Sequence, residues 1–209
     1  MPAVPLGENA ADMTATSSTA RKAGLRWHLR AATQDLHAEA DRLGQAFDLG
    51  SPVGYRNFLC AHARALPGLE AACEAAGVER WVPDWPQRRR RAALAADLAQ
   101  LGATPPPAEQ VTLPSSAAAL GVAYVLEGSR LGNAMLLRVV RGEFALAEGG
   151  PIAYLSHKSG PDGWPGFLAH LEQALPEPSR WADATTGARL AFEYFLAALG
   201  RERMTPLHA

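Results

Sequence analysis

AALGVAYVLEGSRLGNAMLLRVVR, Ala118 to Arg141, is the stretch whose reading decides the fold. It has the pattern of one long helix, yet Gly121, Gly128 and Gly132 lie inside it. An interior glycine costs about 1 kcal/mol against alanine, so three cost roughly 3 kcal/mol with no cap or turn to account for them. At about 100° per residue, Gly128 and Gly132 share a face, and Gly121 sits two turns below Gly128 on the same stripe. A stripe without side chains admits either a closely packed second helix or a flat ligand lying on the backbone. From these residues alone, both readings stand.

The surrounding chain has 209 residues, enough for one sizeable core. Its formal net charge of −1 excludes a general field for nucleic acid or an anionic membrane surface. Alanine and leucine dominate while β-branched residues are scarce, which favours helix over sheet. Cys60 and Cys73 are too few for a disulfide scaffold and fall inside helical patterns, as expected of reduced thiols in a cytoplasmic protein. No stretch approaches about 18 uninterrupted apolar residues, so no membrane span is expected. Residues 1–20 lack the charged-then-apolar layout of a signal peptide and read as a flexible leader.

Outward from the glycine helix, a first helix is predicted from about Arg21 to Leu43, capped by Ser18 or Thr19. Leu25, Leu29, Ala32, Leu36, Ala40 and Leu43 form its core stripe. His37 and Arg30, seven residues apart, share nearly one face beside that stripe, about 10 Å apart along the axis. Pro52 starts the next helix, which turns Tyr55, Phe58, Leu59, His62, Leu66, Leu69 and Cys73 inward. Pro67 is predicted to kink or split it, and Gly77 to close it. Trp81 to Pro86 reads as an irregular link. Arg88-Arg89-Arg90-Arg91 opens a short helix and reads as a solvated surface run or a face for an acidic partner. Gly102 closes that helix, and a proline-rich connector leads to Ser115 or Ser116, which caps the glycine helix. Helices are predicted again over Trp164–Leu175 and from Ser179 to Leu199. The expected architecture is one all-α domain over residues 21–200, with a short tail at 201–209.

Several chemistries are unsupported. There is no paired Glu-x-x-His motif of a di-iron bundle, no phosphate-binding glycine loop, and no zinc-like Cys/His spacing. What remains is a helical histidine sharing a face with a cation, plus another helix stripped of side chains. A porphyrin is flat and apolar, takes an axial imidazole, and carries propionates that suit arginine.

LRAATQDLHAEADRL (Leu29 to Leu43) resembles the proximal-helix segment of heme oxygenases. AYVLEGSRLGNAMLL (Ala123 to Leu137) resembles their distal helix, particularly in the bacterial branch found beside bacteriophytochromes. The likeness continues through YRNFL, GWPGFLAHLEQAL and FEYFLAAL, and so covers most of the chain from Leu25 to Leu199. It implies a helical fold that sandwiches heme, with His37 as proximal ligand and Arg30 facing a propionate. By the same resemblance, Gly128 and Gly132 bring the distal backbone against the porphyrin, and Ser129 is the candidate for organising a distal water. The implied reaction is oxidative opening of heme by O2 and supplied electrons to biliverdin, CO and iron, with heme as both cofactor and substrate.

The resemblance has departures. Ser129 stands where many members have an acidic residue, Asn133 where a further glycine commonly follows, and the segment Phe167 to Leu175 lacks a propionate-facing base. Lys158 or His170 is the candidate substitute. Asn133 is expected to crowd the heme or to donate a hydrogen bond to bound oxygen. It motivates an alternative, a non-catalytic heme-binding or sensing protein on the same fold. A helical interaction module using the glycines for packing is a third reading. The implied partners are an electron donor such as a ferredoxin or reductase, which the Arg88 to Arg91 run would meet, and a bacteriophytochrome as biliverdin acceptor.

Overall fold

The computed structural model of the chain describes residues 24–144 and 150–203, with no side-chain description at 143 and 144. Helix α1 spans Leu25–Ala32 and α2 spans Gln34–Gly44. The predicted first helix is therefore interrupted at Thr33, and its expected cap lies outside the described residues. The Thr33 hydroxyl donates to the Leu29 carbonyl at 2.8 Å, and Thr33 leaves helical geometry at φ −120°. A hydroxyl bonded back to the preceding turn bends a helix in this way. At the start of α1 the free amides of Leu25 and Arg26 reach the Glu172 carboxylate at 3.2 and 3.1 Å, which supplies the cap that Gly24 cannot.

Helix α3, Pro52–Ala75, opens with Pro52 in its first turn and the Ser51 hydroxyl accepting from the Gly54 amide at 3.0 Å. Pro67 does not split it. The proline-rich connector docks on that turn instead: the Glu109 amide donates to the Arg64 carbonyl at 2.8 Å, and Gly68 leaves room for the Glu109 carbonyl. Where an irregular link is predicted, a 3-10 turn at Val78–Arg80 precedes a short α4 at Trp85–Arg88, and α5 follows at Arg91–Gln100. Gly77 and Gly102 take positive φ at the ends of α3 and α5, as their spacing predicts.

Ser115 caps α6, Ser116–Gly128, by accepting from the Ala118 amide at 3.2 Å. Helix α7 covers Arg130–Phe144, so the predicted single helix is two, with Ser129 between them. Next come α8 (Ala153–Ser156), α9 (Gly163–Ala174), a 3-10 turn at Pro178–Arg180, and α10 (Trp181–Arg203). Helix α10 extends three residues into the expected tail, where Glu202 is buried and paired with Arg64. The architecture is all-α, with no strand among the described residues. No described helix is long and apolar enough to cross a membrane. Cys60 and Cys73 are free thiols, and burial pushes both pKa values up.

Nearly every residue of α6 from Ala117 to Glu127 is buried, and its deepest packing is against α10. The cause is two glycines. A Cβ at Gly121 would fall 1.8 Å from the Ala184 carbonyl oxygen, and one at Gly187 would fall 1.9 Å from that of Ala118. The two backbones touch where any side chain would hold them apart. Gly121 therefore belongs to helix packing and leaves the stripe assigned to it by spacing. Gly132 has nothing within 4 Å of an added Cβ, and Gly128 has only the Trp164 ring, at 3.6 Å. The packing reading holds at Gly121, while Gly132 is left open. Around this pair, α3 packs on both helices, α9 on α6, and α1 and α2 on α10.

Two opposite effects are expected from alanine. Gly121→Ala or Gly187→Ala overpacks the contact and lowers unfolding free energy by about 2 kcal/mol. Gly132→Ala meets open space and raises it by up to about 1 kcal/mol through helix propensity. Urea unfolding of the ligand-free protein measures both; equal effects at the three positions would refute the division.

Candidate functional site

The break between α6 and α7 is made by competition for one carbonyl. Leu126 O accepts from Arg90 Nη2 at 2.8 Å and from the Ser129 hydroxyl at 2.8 Å, and Arg90 Nη2 also donates to Ser129 Oγ at 2.9 Å. Two side-chain donors thus draw Leu126 O away from the helix ladder, a recognised cause of a kink. The adjacent Glu127 carboxylate, 1% exposed, accepts from Arg88 Nη1 at 2.7 Å and from Arg130 Nε at 2.8 Å. Arg88 grips Asp84 through two further bonds, at 2.8 and 2.7 Å. Arg130 also donates to the Arg88 carbonyl and reaches His157 Nδ1 at 3.1 Å.

This corrects the reading of Arg88 to Arg91 as a surface run or a docking face for an acidic electron donor. Arg88 and Arg90 are each 1% exposed. Arg89 and Arg91 are partly covered, and each places Nη1 3.0 Å from Glu74. Glu70 takes the backbone amides of Arg90 and Arg91 at 2.7 and 3.3 Å. Four carboxylates compensate the run inside the protein, so little of its charge faces outward. Burial opposes the charge of Arg88, but Asp84 and Glu127 outweigh it and raise its pKa; for Arg130, burial and the neighbouring Arg90 prevail and lower it.

Beyond the break, α7 turns an unusual face outward. Leu131, Met135 and Val139 are 62%, 67% and 43% exposed, the large hydrophobic side chains left open among the described residues. Helical phase puts Gly128, Gly132, Met135 and Val139 in one row with Leu131 at its edge. Exposed apolar side chains gathered in one row make this face the candidate for binding. Asn133 lies about 100° round the helix from Gly132 and is only 7% exposed. Its amide does not crowd the open row, contrary to expectation. Its Nδ2 is buried without a hydrogen-bond partner.

His37 stands on α2 with its ring 5.8 Å from that of Phe192 on α10, and its Nδ1 is 3.1 Å from Asp41 Oδ2 one turn on. The side chain is 64% exposed. Arg30 lies on α1 over the Trp27 ring, as does Arg26. Burial raises the Tyr124 pKa, and the nearby charges of Arg26 and Arg30 offset part of that rise. Tyr124 in turn packs 5.6 Å from Trp164, the ring that neighbours Gly128. The charge of Arg30 is thus felt at Tyr124, which packs on the ring that neighbours Gly128. The structure ties Ser129 to Arg90 and places Asn133 inward. Lys158 is exposed, and its carbonyl accepts from Arg130.

Four participants escape the sequence reading. Asp41 is legible in hindsight as the i+4 partner of His37, and Glu127 as the i−3 partner of Arg130. Arg90 is hidden in a run that looks solvated, although Glu70 and Glu74 on one face of the preceding helix are the signal for its burial. His62 is expected only as a core residue. Phe58, Tyr154 and Phe195 surround its ring, its Nδ1 bonds the Phe58 carbonyl at 2.9 Å, and burial, with Arg90 nearby, pushes its pKa down to about 4. It is therefore neutral near pH 7.

No family model matches the chain. It is 37% identical over 154 residues to the heme oxygenase of Xanthomonas campestris pv. campestris (strain 8004), an alignment covering 71% of this chain and 90% of that one. Its fold is similar to that of the heme oxygenase of Neisseria meningitidis solved with NO and CO bound, at TM-score 0.76, 24% identity, and coverage of 90% of this chain and 96% of that one. The heme oxygenase of Leptospira interrogans is similar at TM-score 0.65 and 20% identity, with coverage of 85% and 99%.

His62 gives the site a pH signature. Its folded pKa lies below the unfolded value, so the unfolded chain binds the extra proton between about pH 6.5 and 4 and stability falls as pH drops through that window. The expected loss is up to about 3 kcal/mol. Thermal unfolding of wild type and His62→Gln across that range should differ in slope by this amount; parallel curves would exclude a buried neutral His62.

Proposed function

The chain belongs to the heme oxygenase family, and on that premise we propose that it opens heme oxidatively, using O2 and supplied electrons, to biliverdin, CO and free iron. The observation that carries this to the residues present is the outward row of α7, where the side-chain-free Gly132 and three exposed apolar side chains offer a flat surface, with Gly128 and the Trp164 ring at its start. The fit can be judged on this chain's own groups. An added Cβ at Gly132 would meet nothing, the His37 side chain is exposed, and the charges of Arg26 and Arg30 act on Tyr124, the ring packed against Trp164. An imidazole, an apolar wall and guanidinium groups are the donor set that a porphyrin with propionates requires.

Heme, when bound, supplies the redox chemistry and is itself consumed. In this proposal His37 Nε2 would hold the heme iron. Asp41 at Nδ1 holds the imidazole proton on that nitrogen, which leaves the Nε2 lone pair free and the ring oriented, while the Phe192 contact limits its rotation. Arg30 would hold a propionate, and Gly128 at the end of α6 and Gly132 on α7 would let the backbone come close to the ligand. Ser129 gives its hydroxyl proton to Leu126 O and accepts from Arg90, so the lone pair it retains can accept from one water. That water, not the Ser129 hydroxyl, would be the proton donor. Asn133 contributes from the buried flank, through its unpartnered Nδ2. Its burial removes the crowding that motivated a non-catalytic reading.

Electron supply by a ferredoxin or reductase remains part of the proposal, but through a surface other than Arg88 to Arg91. Transfer of biliverdin to a bacteriophytochrome is likewise proposed from the family likeness alone. The free thiols of Cys60 and Cys73 support a cytoplasmic setting.

Hemin titration should give a stoichiometric complex with a histidine-ligated Soret band. Reductant under air should then bleach that band while biliverdin absorption rises. His37→Ala should abolish turnover, and Arg30→Ala should mainly loosen or rotate the heme. A Soret band that persists through reduction, with no biliverdin, would exclude the enzyme. Gly132→Leu should weaken hemin binding while leaving the ligand-free fold intact; unchanged affinity would displace the ligand from this row.

A further inference from the structure

We propose that Glu127 is a positioning residue for heme: by holding Arg88 and Arg130 on one carboxylate, it sets the direction in which α7 leaves α6 and hence where the Gly128–Val139 row stands. This rests on the functional reading above and deepens it. Three observations carry it.

First, three segments converge on this side chain. Arg88 brings α4, itself fastened by the double bond of its guanidinium to Asp84. Arg130 brings the first turn of α7, and through its bonds to the Arg88 carbonyl and to His157 it also brings the loop before α9. Space is cut for this assembly: a Cβ at Gly160 would meet Asp84 Oδ2 at 1.9 Å and Arg88 Nη2 at 3.1 Å. Second, α7 lacks the enclosure of its neighbours. Its substantial packing is against α6 and α8, and its outer row is open. With no core on that side, the direction of α7 depends on the polar junction at its start. Third, the charge balance is narrow. The guanidiniums of Arg88, Arg90 and Arg130 gather behind the break, and the side-chain carboxylates bonded to them are those of Asp84 and Glu127. Neutralising Glu127 leaves Asp84 as the one carboxylate bonded to these three guanidiniums, with Glu70 reaching only the Arg90 backbone amide. Buried like charges without a counterion separate or draw in water. The joint they would open is the one at Gly128 and Ser129.

A residue that only stabilised the fold would weaken every helix alike. Glu127→Gln and Glu127→Asp separate the two roles, the second keeping the charge but falling one methylene short of bridging both arginines. In ligand-free protein, amide hydrogen exchange of Glu127→Gln should quicken roughly tenfold or more over Leu131–Val140 while α3 and α10 keep wild-type rates. In the hemin complex of the same variant, the Soret maximum and the proportions of biliverdin isomers should shift. Glu127→Asp should move the same readings in the same direction by less, and it serves alone if the glutamine variant does not fold. Acceleration spread evenly over all helices, or wild-type exchange in α7 with wild-type isomer proportions, overturns the role of Glu127. Wild-type protein that binds no hemin overturns the functional reading itself, and with it the part of this proposal that concerns heme.

Discussion

The position of each wall of the proposed heme site follows from one contact, the meeting of α6 and α10 at Gly121 and Gly187. Because neither glycine carries a side chain, carbonyl oxygens of each helix lie within 2 Å of where the other's Cβ would be. This fixes the spacing of the two central helices by backbone rather than by adaptable side chains. From α10, Phe192 meets His37, and Arg189 donates at 2.7 Å to the Ala32 carbonyl at the junction of α1 and α2. From α6, the chain runs directly into the break and α7. A shift of α10 against α6 would therefore move the imidazole relative to the glycine row.

The two elements that carry the site share a second device. Each is a helix interrupted by a hydroxyl bonded back to the preceding turn, Thr33 to Leu29 O near His37 and Ser129 to Leu126 O between Gly128 and Gly132. In each case a second group fixes the junction: Arg189 reaches the Ala32 carbonyl, and Arg90 takes Leu126 O and Ser129 Oγ. The bends are thus held by charge-assisted bonds, roughly twice as strong as neutral ones.

Periodicity made the helices legible. The leucine stripe of α1 and α2, the helix start at Pro52, the serine cap at Ser115, and the positive-φ glycines Gly77 and Gly102 all appear where spacing puts them, because each is a local consequence of helix geometry. The breaks at Thr33 and Ser129 were not legible, since Thr and Ser are common within helices and the partners that fix these bends come from distant segments. The glycines show the same limit. Spacing gave Gly121 the same standing as Gly128 and Gly132, and only Ala184, 63 residues away, separates packing from opening. Spacing put His37 and Arg30 near one face and so suited a ligand with a metal and anionic groups; their assignment to heme rests on the family likeness. The arginine run failed most completely, because burial of a charge depends on counterions assembled in three dimensions.

That failure bears on how such a site can exist. A helix is ordinarily held by burying an apolar face, at roughly 25 cal/mol for each Å² removed from water. Helix α7 exposes Leu131, Met135 and Val139 and carries the open Gly132, so over this row it forgoes both burial and propensity. A core built on that face would hold the helix better, and it would fill the space a flat ligand needs. Anchorage has to come from elsewhere. The buried flank supplies part of it through Val140, and the charged junction at Glu127, Arg88 and Arg130 supplies direction without touching the open row. The arginines behind the break and the bare surface in front of it are, on this account, two halves of one solution: the helix is held from its start so that its face stays free.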